Sequence, residues 1–121
     1  MITAGTESTP GFDSRTQRAA LEVRTTHCTI VAAAARHGIA QQTVQGAVNF
    51  MRWSERMQLG LPIVPPTERF DPHTWRRAKD AARFALEQHV TRDVAARLYH
   101  QPLEAVLDAW IHLDFPFRWR T

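Results

Sequence analysis

Ile30–Arg52 reads IVAAAARHGIAQQTVQGAVNFMR, and the reading of this stretch decides the fold. Two consecutive helices can meet at a steep angle only where small residues sit at the closest approach and a glycine takes a left-handed turn between them. Ala34, Gly38, Val44 and Ala47 fall at those places. Gly38 ends the first helix and Ile39 drops into the angle as an apolar wedge. Val44, Ala47, Val48 and Met51 then recur at the spacing of a helix that packs inward. The pattern predicts two helices joined by a short turn, the second with a defined back.

The front of that second helix is polar and carries no carboxylate. At roughly 100° per residue, Gln42, Gln45, Asn49 and Arg52 project to one side, away from the Val44 and Ala47 stripe. Gln and Asn amides donate and accept together against adenine, and arginine grips guanine or phosphate. A surface needing only solubility would carry Glu and Lys instead. Gly46 puts no side chain on this front, at a helical cost of about 1 kcal/mol against alanine, which reads as a sign of close approach by a ligand. The stretch is therefore read as a helix-turn-helix that contacts double-stranded DNA through Gln41, Gln42, Thr43, Gln45, Gly46, Asn49 and Arg52.

AAAARHGIAQQTVQGAV resembles the helix-turn-helix of small phage and plasmid repressors of the Cro and KorA/TrfB kind, over about twenty residues. The resemblance implies base contacts from the first turn and outward residues of the second helix, here Gln41, Gln42, Gln45, Gly46 and Asn49. The chain departs at Ala40, where those proteins carry a capping Ser or Thr; the missing oxygen costs about 1 kcal/mol.

The chain has 121 residues, 44% of them hydrophobic, enough to bury the core of one domain or two small ones. Fifteen basic against twelve acidic side chains leave a formal charge of only +3, so the total implies no general attraction to nucleic acid. The bases are arginines apart from Lys79, and arginine suits phosphate forks. A lone cysteine, Cys28, excludes an internal disulfide and a cysteine zinc cage; it is assigned to a buried wall. The absence of a signal-like start, or of a run of roughly 18 apolar residues, leads us to expect a cytoplasmic protein.

Residues 1–12, rich in Thr, Gly, Ser and Pro, read as a flexible arm. Asp13 or Ser14 caps a helix through about Thr25, completing a helix-turn-helix unit over 13–58 whose last helix extends through an apolar stripe of Phe50, Trp53 and Met57. The proline-rich residues 59–70 read as a stiff extended connector. Residues 71–121 read as a helical packing and dimerisation unit. Asp71-Pro72 opens a helix to about His89, bearing Arg76 with Asp80 and Arg83 with Glu87 as surface pairs. Thr91 caps a short helix and Gln101-Pro102 opens another.

This second unit echoes the first, with Ala96, Val106 and Ala109 under Ala34, Val44 and Ala47. Its outward Glu104 and Asp108 would repel phosphate, and His100 stands at the glycine position, so it is a degenerate copy that does not read DNA. Leu103, Val106, Leu107, Trp110 and Ile111 cover more than one stripe and are expected to form a homodimer interface. In the tail, Phe115 to Arg120 alternates rings and cations, a pattern that either stacks on nucleic acid or packs on a helix.

No phosphate loop, zinc helix or nucleophile elbow is present, and the six histidines are scattered. No cofactor, metal or enzymatic activity is expected. The expectation is an all-α protein of two small three-helix units, acting as a sequence-specific repressor of a bacterial or mobile-element promoter. The rival reading is a small helical module that binds another protein, which its four tryptophans would suit.

Overall fold

The computed structural model describes residues 12–119, and these are all-α, with seven helices and no strand among them. The arm expected over 1–12 lies outside the described residues apart from Phe12, as does Arg120 of the tail. No helix among the described residues is long and apolar enough to cross a membrane. The chain divides into two compact units between Ser54 and Glu55, inside a helix rather than at the prolines.

In the first unit α1 spans Ser14–Thr26, α2 Ile30–His37 and α3 Gln41–Gln58, the last turn of α3 belonging to the second unit. Each start has a local cause. The Asp13 carboxylate accepts the Thr16 N–H at 2.8 Å, and that hydrogen bond holds its pKa below the ordinary carboxylate value. Thr29 Oγ1 accepts the Ala32 N–H at 3.0 Å. For α3 the Ala40 carbonyl takes the Thr43 and Val44 N–H groups at 3.1 and 3.2 Å, while its methyl side chain supplies no cap. The core is small: Ala19, Ala20 and Val23 of α1 meet Ala33 and Ala34 of α2 and Val44, Ala47 and Val48 of α3. Alanines at these positions let helix backbones approach closely. Cys28 is half-buried beside this core rather than within it. Glu22 ties α1 to α2 by accepting from Arg36 and, at 2.7 Å, pairing with His37 Nε2.

The second unit contains α4 (Pro66–Arg69), α5 (Pro72–Gln88), α6 (Arg92–Leu98) and α7 (Leu103–His112). Asp71 caps α5 through the Thr74 N–H, a bond that lowers its pKa, and Thr91 caps α6 through Val94. The alanines of α5, with Trp75, pack on Ala95 and Ala96 of α6 and on Ala105, Val106, Ala109 and Trp110 of α7.

The echo between the units extends to the backbone. His27 and His89 both end a helix in the left-handed region, at φ 60° and 55°, each two residues before a threonine cap. Ile39 N–H bonds to the Ala34 carbonyl and Gln101 N–H to that of Ala96, both at 2.9 Å. His100, at φ 57°, takes the left-handed turn that Gly38 takes at 65°. Its side chain is tolerated there at a strain that glycine avoids.

Several expectations are corrected by long-range packing. Residues 59–70 are not extended throughout: Leu61 is buried, its N–H bonds to the Arg56 carbonyl at 2.9 Å, and α4 forms within the stretch. Asp108 is not outward but 1% exposed. A local correction is that Asp80 pairs with Arg83, three residues on, at 3.3 Å rather than with Arg76, four residues back. Of the expected dimer residues, Val106 and Trp110 are fully enclosed in the unit's own core and Ile111 is 1% exposed, so they have no surface to offer a second subunit; Leu103 is 40% exposed and Leu107 half-buried. The tail rings turn inward: Phe115 stands edge-on to Trp110, and Trp119 Nε1 donates to the Val90 carbonyl at 3.0 Å.

Candidate functional site

The outer side of α3 carries a shallow depression of about 490 Å³ lined by Ile30, Gln41, Gln42, Gln45, Gly46 and Asn49. Five of the residues singled out from the sequence are thus brought together. The physical reason is the periodicity of α3. Val44, Ala47 and Val48 are anchored in the core, so Gln41, Gln42, Gln45 and Asn49 are turned out and exposed. Thr43 and Arg52 are half-buried and do not line the depression. Ile30, the first residue of α2, forms its apolar edge; the sequence placed it only as a helix start.

Gln45 and Asn49 are joined, Gln45 Nε2 donating to Asn49 Oδ1 at 2.9 Å. One turn apart, the two amides brace each other. With that bond made, the Gln45 carbonyl remains as an acceptor and the Asn49 NH₂ as a donor, the pair of functions that adenine N6 and N7 require. Between Phe12 and Ser54 the chain has five arginines against two carboxylates, and one of those two, Glu22, is already paired with Arg36 and His37. No carboxylate stands on α3 before Glu55.

Gly46 does not leave an empty gap. A Cβ built there lies 3.7 Å from Cε1 and Cζ of the Phe12 ring, ordinary van der Waals contact. Phe12 also meets Phe50 edge-on, with ring centroids 6.3 Å apart, and Gln17 Nε2 donates to its carbonyl at 3.0 Å. Phe12 is therefore an anchor of this unit and not the end of a loose arm. The signal was present: Phe12 precedes α1 but lies four residues before Thr16, in line with the buried face of that helix. We expect Gly46→Ala to raise unfolding free energy by about 0.5–1 kcal/mol, since a helical glycine is replaced where space exists. Urea denaturation followed by circular dichroism checks this, and a fall in stability would mean that Phe12 cannot adjust.

Among the described residues no three His, Cys, Asp or Glu side chains gather as a metal site. No family model, curated protein or solved structure matches this chain.

Proposed function

We propose that the first unit is a helix-turn-helix that reads duplex DNA, with α3 in the major groove, and that the protein is a sequence-specific transcriptional regulator, repressing a bacterial or mobile-element promoter by occluding it. The observation that carries this reading is the cluster of Gln41, Gln42, Gln45 and Asn49 in one exposed depression on α3, without a carboxylate. Amides paired in this way suit base edges, and the exposed arginines of the unit, Arg15, Arg18 and Arg36, supply attraction to phosphate. Such a regulator works in the cytoplasm. It acts as a homodimer, because one reading helix covers few base pairs and two must enter successive grooves about 34 Å apart. With Val106, Trp110 and Ile111 buried, the exposed apolar residues nearest the expected seam are Leu98 and Leu103, 58% and 40% exposed, on either side of the turn between α6 and α7, with half-buried Leu107.

Fluorescence anisotropy on sites selected from random duplexes tests the reading. Binding should weaken steeply with salt as counterions are released. Gln42→Ala or Asn49→Ala should lose about 1–3 kcal/mol on the selected site and little on random DNA, with unchanged circular dichroism. Gln45→Ala and Asn49→Ala together should lose less than the sum of their separate effects, because each single change already breaks the shared bond. No binding to any duplex at low salt would overturn the proposal in favour of a protein-binding module.

A further inference from the structure

A second concavity, of about 280 Å³, lies in the second unit and is lined by Thr67, Phe70, Pro72, Trp75, Arg76 and Lys79. We propose that it binds a small planar aromatic carboxylate. The lining is largely apolar: half-buried Phe70 and Trp75, 8% exposed, whose rings are parallel to within 3° with centroids 6.5 Å apart, stand there with Pro72. The rim is cationic. Lys79 Nζ, on the only lysine of the chain, stands 5.8 Å from the Trp75 ring centroid, and Arg76 is exposed beside it.

Neither cation is neutralised by a carboxylate among the described residues, although acids are close in sequence. Asp80 is taken by Arg83, and the Asp71 carboxylate accepts from Thr74 N and Oγ1 at 2.8 and 2.9 Å. Arg69, whose guanidinium lies 4.7 Å from the Phe70 ring, is by contrast held by Asp108 and Glu104. No carboxylate lines the concavity. The site therefore combines apolar walls for a ring with two uncompensated charges for an anion, and the Arg76 fork matches a carboxylate in two bonds. The volume sets the scale of the ligand. It lies just under the roughly 300 Å³ at which pockets for drug-sized molecules begin, which suits one or two fused rings.

The experiment uses the full chain with 1-naphthoate, its neutral amide 1-naphthamide, and inorganic phosphate as probes. Calorimetry gives affinity, and the indole N–H resonance of Trp75 in nitrogen-15 spectra reports the place. Naphthoate should bind with a dissociation constant at or below about 1 mM and move the Trp75 resonance saturably. The amide should bind at least tenfold more weakly. The double variant Arg76→Ala with Lys79→Ala should lose affinity for naphthoate at least tenfold while its thermal unfolding stays unchanged. Equal affinity for acid and amide would overturn the anionic half of the proposal. Phosphate moving Trp75 as effectively as naphthoate would overturn the aromatic half. No saturable shift with any probe would overturn the site.

Discussion

Replacing Asp108 by alanine should remove on the order of 3–5 kcal/mol from the second unit, the loss expected when one partner of a buried ion pair is deleted. Asp108 lies on α7 with 1% of its side chain exposed. Arg69 Nη1, from α4, donates to its Oδ2 at 2.5 Å, and Arg56 Nε, from the end of α3, stands 2.9 Å from its Oδ1. The Arg56 Nε–H does not point along that oxygen, so this contact is one of charge, while Arg56 Nη2 donates to the Val64 carbonyl at 2.8 Å. The two arginine side chains are 16% and 13% exposed, so removing the carboxylate leaves two largely desolvated like charges, with the half-exposed Glu104 as the carboxylate still beside Arg69. Against a domain stability of about 5–15 kcal/mol, that loss is a large fraction. Asp93→Ala is the control. Asp93 pairs with Arg97 at 3.0 Å, but both side chains are more than half exposed, and its removal should change stability by at most about 0.5 kcal/mol. Urea titrations read by circular dichroism measure both; equal effects would show that burial of Asp108 is not what gives the pair its weight.

Trp110→Ala should cost about 3–5 kcal/mol through the cavity it leaves, and the loss should be the same at every protein concentration. The indole is fully buried, with Phe115 and Trp119 each 5.0 Å away between ring centroids, and its Nε1 donates to the Pro116 carbonyl at 2.7 Å. Arg92 lies over the same ring, its guanidinium carbon 5.3 Å from the centroid, and burial pushes its pKa down from the usual arginine value. A tryptophan in a dimer seam would behave otherwise, since mass action makes the melting temperature of a dimer rise with concentration. Thermal unfolding at two concentrations a hundredfold apart distinguishes the cases. A loss that disappears at high concentration would return Trp110 to an interface. Trp110→Phe keeps one buried ring but loses the rest of the indole and its bond to Pro116, and should cost less than Trp110→Ala but more than the roughly 0.5–1.5 kcal/mol of that bond alone.

What the sequence by itself determined is whatever depends on neighbours within a turn or two of helix. Asp13, Thr29, Asp71 and Thr91 act as caps because their oxygens reach N–H groups three residues on, and Gly38 turns because it has no Cβ. The amide front of α3 was legible for the same reason: once Val44, Ala47 and Val48 face inward, helical geometry turns Gln42, Gln45 and Asn49 outward. Tertiary structure alone decided the rest. Asp108 was read as a surface acid, yet it shares a stripe with Ala105 and Ile111, both buried, and its partner Arg69 lies 39 residues away. Trp119 reaches Val90 across 29 residues, Phe12 comes to rest on Gly46, and Trp110 is enclosed rather than offered to a second chain. Periodicity identifies which residues share a face but not what covers that face. Only the path of the whole chain brings a distant cation to a carboxylate or a tail ring to a core.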